Sequence, residues 1–173
     1  RVPDINLQVR AGEVIGLAGI EGSGQNLLLR VCAGLDQPVA GEIWMGGIKM
    51  NRQPYEKFLD RSVAYLPANR LEEGLVAGLN LTEHFVLAKR SIEFFVDWKA
   101  AQANAEKRIQ EYNIRGVPGS LVESLSGGNQ QRALLALLRE PLSMLLLEHP
   151  TRGLDIESTI YIWTKLKERC KQG

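Results

Sequence analysis

Apolar and polar residues alternate from Ile5 to Val9, with Asn6 and Gln8 between Leu7 and its neighbours. That period of two predicts a half-buried strand. Ala11-Gly12 then reads as a turn. Val14 to Ala18 is a continuous apolar run, which predicts a strand covered on both faces. After a glycine-rich stretch, Leu27, Leu28 and Val31 fall at helical spacing, and Gly34 is a suitable stop for a helix over 25–33. Residues 41–45 and 62–66 predict two more strands, the second ended by Pro67. A helix is expected over about 82–89. Another, capped by Asp97, is expected from Trp98 to about Tyr112, with Ala101, Ala105, Ile109 and Tyr112 on one face. A leucine-rich helix over 130–139 must end before Pro141. Met144 to Leu147 predicts a short buried strand. Ile156, Ile160, Trp163, Leu166 and Cys170 form an apolar stripe on a last helix. Strands alternate with helices at both ends around a helical block, so the fold class is α/β with a helical insertion.

Composition narrows this without deciding function. The chain has 173 residues, 45% hydrophobic and 24% charged. That suits one folded domain and argues against a disordered chain. With 21 Lys+Arg against 20 Asp+Glu, the net charge of +1 gives no global basic footprint for nucleic acid. The longest apolar run is too short to span a bilayer. Cys32 and Cys170 make no C-x-x-C, and Cys32 reads as a small apolar packing residue. His84 and His149 lie far apart and suggest no zinc site. Trp44, Trp98 and Trp163 read as core or partly buried. His84 reads as a surface or partner-facing side chain.

Candidate chemistry starts at Gly19-Ile20-Glu21-Gly22-Ser23-Gly24-Gln25-Asn26, which has the glycine spacing of a phosphate loop, G-x-x-x-x-G-K-[ST]. Glycines let backbone N–H groups close around an anion at a helix start. The lysine position holds Gln25 and the Mg²⁺-binding hydroxyl position holds Asn26. Loss of a charge-assisted contact costs roughly 1.5–3 kcal/mol, or about tenfold to a hundredfold in affinity. Glu21 adds a negative charge to the loop. A second small-residue loop, Ser126-Gly127-Gly128, opens the leucine-rich helix at Leu125-Ser126-Gly127-Gly128-Asn129-Gln130-Gln131-Arg132.

These two loops, the apolar strand ending at Glu148-His149-Pro150-Thr151, and Gly153-Leu154-Asp155 together resemble the ATP-binding cassette (ABC) ATPases over nearly the whole chain. The resemblance implies a phosphate-loop NTPase-type core with an N-terminal antiparallel β portion and an α-helical insertion subdomain, truncated at both ends. It divides the chain 1–173 into a core of 1–69 and 141–173 and a helical subdomain of about 70–140. Leu125 to Gly128 is similar to the ABC signature, residues 144–148 to the Walker B strand, and 153–155 to the D-loop. It implies ATP and Mg²⁺ as ligands. Gly19, Glu21, Gly22, Ser23, Gly24, Gln25, Asn26, Ser126, Gly127, Gly128, Gln130 and Asp155 would line nucleotide, with Glu148 as a weak Mg²⁺ holder through water. Glu148 and His149 fill the positions of the Walker B acid and the catalytic base; the alternative register makes Glu148 the catalytic residue but breaks its adjacency to Pro150.

The strings around Gln25, Asn129 and Arg152 are similar to the second cassette of tandem-cassette importers of sugars and nucleosides. Glutamine at the lysine position favours the nucleoside type. Gln25, Asn26, Ala68, Glu148 and His149 all depart from the family pattern at one chemistry, which implies a degenerate half-site. Arg70 reads as a surface charge, with a nucleotide contact as the alternative. Ser126, Gly127, Gly128 and Gln130 keep the signature, implying that it serves the phosphate loop of a second cassette, in the same polypeptide or in a head-to-tail dimer. The isolated domain is then expected to hydrolyse ATP slowly or not at all. Expected partners are that cassette and membrane-spanning permease subunits; Leu79, Leu81, Phe85 and Leu87 could together build a docking surface, although each taken singly reads more strongly as core. Nucleic acid is not expected. The expected place is the cytoplasmic face of the bacterial inner membrane. The alternatives are a nonhydrolytic regulatory or scaffold cassette and a non-transport ABC ATPase acting on DNA.

Overall fold

The computed structural model describes residues 4–20, 22–89 and 95–171. Glu21 lies outside the described residues. The chain divides into two units, the first of residues 1–66, 140–148 and 166–173 and the second of 67–139 and 149–165.

In the first unit, α1 (Gln25–Cys32) follows the glycine loop, and Gly34 closes it at φ 76°. A side chain at Gly34 would run into the Phe58 ring, so both the backbone sign and the space require glycine. β1 (Trp44–Met45) and β2 (Ile48–Lys49) form an antiparallel hairpin across Gly46-Gly47. Both glycines take the positive φ that a tight hairpin turn needs. Next come α2 (Tyr55–Asp60) and β3 (Val63–Leu66), which pairs in parallel with β4 (Met144–Leu147). The register sets Val63 beside Met144 and Leu66 beside Leu147. Met50, Phe58 and Val63 form the buried core here, with Ile43, Met45, Met144 and Leu146 packed on it.

The second unit holds α3 (Leu81–Leu87), α4 (Trp98–Glu111) and α5 (Gly127–Leu137), which pack pairwise. Short π and 3-10 turns occupy Arg70–Gly74 and Val122–Ser124. Asn80 caps α3 by accepting from Glu83 N–H, and the Glu83 carboxylate returns the bond to Asn80 N–H. This reciprocal box satisfies two N-terminal donors. Asp97 caps α4 by accepting from Ala100 N–H, as its position predicts. Ala101, Ala105, Ile109 and Tyr112 are all buried, so the expected face holds. α5 ends before Pro141, also as expected. α6 (Ile156–Lys171) belongs to the second unit through Lys165 and to the first beyond it.

Several expectations are corrected. Neither Ile5 to Val9 nor Val14 to Ala18 is a strand among the described residues. Val14 is 72% exposed, so a run that reads as covered on both faces is covered on neither. Alternation encodes a preference for a half-buried sheet, but a strand forms only against a partner edge. The stripe on α6 is exposed at Ile156, Ile160 and Trp163, and the helix buries Ser158 and Ile162 instead. Trp44, Trp98 and Trp163 are all exposed. His84 is buried rather than surface-facing. Its Nε2 accepts from Val76 N–H at 2.9 Å, and its Nδ1 lies 2.8 Å from Asn80 O. Donation by a backbone N–H fixes Nε2 as acceptor and leaves the proton on Nδ1. Leu81 and Phe85 are buried, while Leu87 is exposed. Cys32 is half-buried, and burial raises its thiol pKa, in line with a packing role. No helix among the described residues is long and apolar enough to cross a membrane.

Candidate functional site

The predicted site residues gather into two clusters, one in each unit. In the first unit Glu148 lies just past β4, where its N–H extends the ladder by donating to Leu66 O at 2.9 Å. One carboxylate oxygen accepts from Asn26 Nδ2 at 2.6 Å, and the other from the Tyr65 hydroxyl at 2.8 Å. Asn26 comes from the start of α1, Tyr65 from β3 and Glu148 from the end of β4. The C-terminal ends of parallel strands are where ligands bind in open α/β sheets.

The glycine loop reaches α1 through Gly22 at φ 83° and Gly24 at φ 105°. Both values lie where L side chains are strained, so the loop's path depends on these glycines. The Ser23 hydroxyl donates to Gln25 Oε1 at 2.8 Å. The Gln25 amide then lies so close to Gly19 that a Cβ there would collide with it. The same Cβ would sit 2.6 Å from Ser23 Oγ. The loop thus folds its own neutral side chain against its first glycine. Gly24 caps α1 without a side-chain bond, leaving the first-turn N–H groups to other acceptors.

A hard cation such as Mg²⁺ takes oxygen ligands. Here Asn26 turns its amide donor to Glu148, and both carboxylate oxygens already accept hydrogen bonds from neutral groups. No group of three His, Cys, Asp or Glu side chains lies together among the described residues. These residues fit Mg²⁺ poorly.

The second cluster brings together the signature-like loop, residues 152–158 and Arg70. Ser126 is the N-cap residue of α5, yet its oxygen bonds none of the helix N–H groups. It accepts instead from Asn129 Nδ2 at 2.9 Å. Gln130 is buried, and its amide donates to Val122 O at 3.2 Å and Leu125 O at 3.1 Å. It therefore shapes the chain leading into the loop. Gly128 is pressed on Ser158, where an added Cβ would stand 2.5 Å from Ser158 Oγ. Asp155 accepts from Ser158 N–H at 2.8 Å and from Ser158 Oγ at 2.9 Å. The Ser158 backbone bond first, and then its hydroxyl, hold the Asp155 carboxyl below the usual aspartate range.

Arg70 is more than a surface charge, and that reading is corrected. Its Nε donates to Gln131 Oε1 at 2.7 Å and its Nη2 to Arg152 O. One guanidinium thus joins the chain after β3 to α5 and to the residues leading into Asp155, and burial lowers its pKa. His149, in the second unit, is exposed at φ 44° and makes no side-chain hydrogen bond among the described residues. Sequence reasoning missed Tyr65, Ser158 and Asn129 as well. Their roles depend on pairings across the fold that no local motif carries.

The architecture is that of an ATP-binding cassette. A dimeric bacterial ABC transporter cassette, MJ0796, superposes with a TM-score of 0.82 at 22% identity, over 99% of this chain and 75% of that one. The sequence model of the ABC transporter family matches residues 2–152, and the chain belongs to that family. YphE of Escherichia coli K12, an uncharacterized ABC transporter ATP-binding protein, is 34% identical over all of this chain and 35% of its own length. The nucleoside import ATP-binding protein NupA of Lactococcus lactis is also 34% identical, over all of this chain and 36% of its own length. The arabinose import ATP-binding protein AraG of Mannheimia succiniciproducens is 36% identical over 91% of this chain and 33% of its own length. The chain spans about a third of the length of these curated relatives.

Proposed function

We propose that the chain is an ATP-binding domain of a sugar or nucleoside importer, with an attenuated nucleotide half-site of its own. Its second role is to lend the signature loop, Ser126 to Gly128, to the phosphate loop of another cassette. The observation that carries this reading is the neutral occupation of the first cluster. Gln25 folds over Gly19, and Asn26 with Tyr65 takes both oxygens of Glu148. The lysine position of the loop holds the uncharged Gln25, and the Glu148 carboxylate is engaged by two neutral donors. The second cluster presents an exposed serine at the start of α5, with the helix N–H groups not capped by it. The import functions of NupA and AraG support the sugar or nucleoside assignment. In this reading the domain sits at the cytoplasmic face of the membrane beside permease subunits.

Calorimetry and a turnover assay test this. The purified chain is expected to bind ATP weakly and to turn it over far below one per second. Gln25→Lys with Asn26→Thr should tighten ATP binding by about tenfold or more, through the restored charge-assisted contact. Turnover near one per second in the unaltered chain, abolished by His149→Ala, would refute the attenuated half-site.

A further inference from the structure

The signature loop carries a hydrogen-bond relay whose polarity is fixed by the end of a different helix. α4 finishes with Tyr112 as its C-cap and Asn113 at φ 48°. Asn113 N–H donates to Gln110 O at 3.1 Å, and Ile114 N–H to Ile109 O at 2.9 Å. These are the two bonds of a Schellman motif, with asparagine in the left-handed position. Arg132 Nη1 pins the turn by donating to Asn113 O at 2.6 Å. Arg132 is itself buried, under the cation–π contact of its guanidinium 4.3 Å from the Tyr161 ring centre. The turn delivers the Arg115 N–H to Asn129 Oδ1 at 2.8 Å.

A backbone N–H can only donate, so it selects the oxygen of the Asn129 amide. The amide nitrogen must then face Ser126, where it donates to Oγ at 2.9 Å. Asn129 is 9% exposed and locked in this sense. Ser126 is exposed, and its oxygen already accepts a hydrogen bond. Its hydroxyl hydrogen makes no bond among the described residues and remains as a donor. Accepting one hydrogen bond polarises a hydroxyl and strengthens the bond it gives.

We infer that Asn129 is a positioning residue: the Arg115 N–H at the end of α4 fixes its amide so that Ser126 meets an acceptor-only ligand, a phosphate oxygen, as a donor. This rests on the proposal that Ser126 serves nucleotide held by a second cassette. Asn129→Asp keeps the acceptor for Arg115 N–H and nearly the same shape. It faces Ser126 with an acceptor, so the serine hydrogen turns inward and only lone pairs face the phosphate.

The test is a double-mutant cycle on ATP turnover in the assembly of this domain with the second cassette. Ser126→Ala and Asn129→Asp are each expected to lower kcat/KM by about tenfold or more. Combined, they should lose no more than about twofold beyond Ser126→Ala alone, because both act through one hydroxyl. Asn129→Gln, which keeps the amide, should recover part of the rate. A double variant that loses the product of the two single effects overturns the positioning role and leaves the proposed function standing. Full activity in Asn129→Asp, with Ser126→Ala impaired, does the same. Full activity in Ser126→Ala overturns the signature-lending function and this inference together.

Discussion

Replacing Gly128 by alanine sets two effects of opposite sign against each other. Gly128 is the second residue of α5, and exchanging glycine for alanine in a helix gains up to roughly 1 kcal/mol of propensity. Here the new Cβ would stand 2.5 Å from Ser158 Oγ, 3.1 Å from Ser158 Cβ and 3.7 Å from Asp155 Oδ2. Ser158 cannot yield freely, since its hydroxyl donates to Asp155 at 2.9 Å and the residue is 7% exposed. Overpacking of this kind costs about 1–3 kcal/mol. The clash outweighs the propensity, and the net loss is up to about 2 kcal/mol. Urea unfolding of the purified chain, followed by circular dichroism, reads this as a lower midpoint at constant slope. In a Ser158→Gly background the space is empty, and Gly128→Ala should stabilise by a few tenths to about 1 kcal/mol. A stabilising effect in the unaltered chain, or an undiminished loss in the Ser158→Gly background, would refute the close packing of these two residues.

Two further outcomes follow from the second unit. Because Ser158 depresses the folded-state pKa of Asp155, its contribution is present above the unfolded aspartate pKa of about 3.9 and is lost as pH falls through the lower folded value. Asp155→Asn should therefore flatten the acid limb of a stability-against-pH curve below about pH 4, and an unchanged limb would count against the Ser158 bonds as its cause. His84→Ala removes the acceptor of Val76 N–H and leaves a cavity at a buried site, so thermal unfolding should show a loss of about 2 kcal/mol or more.

Motifs that act through local backbone were legible in the sequence. Asp97 caps its helix where the pattern places it, Gly34 ends α1, and Met144 to Leu147 is a strand. The buried face of α4 follows from periodicity alone. What escaped was contact between distant residues. Tyr65 reaches Glu148 only because β3 and β4 pair in parallel at one register. Arg70 reads as a surface charge until Gln131 and the Arg152 carbonyl are brought to it. His84 carries no local sign that Val76 will donate to it. The strands expected at Ile5 and Val14 fail for the converse reason: their patterning is real, but no ladder partner lies among the described residues. The family resemblance rests on two loops, the strand over 144–147 and residues 153–155, none of which needs strands at Ile5 or Val14.

The Gln25 side chain, bonded to Ser23 and laid over Gly19, acts as a tethered competitor for its own loop. In the proposed role of the loop, an entering anion would first have to displace it, and apparent affinity would fall in proportion to the fraction of molecules in which the loop is open. A loop open one time in ten would weaken binding about tenfold, without altering a single contact to the ligand. The competitor carries no charge, so changes in salt would not release it as they would an ion pair. In the proposed role, the loop's affinity would be set as much by an equilibrium within the protein as by the chemistry of what enters.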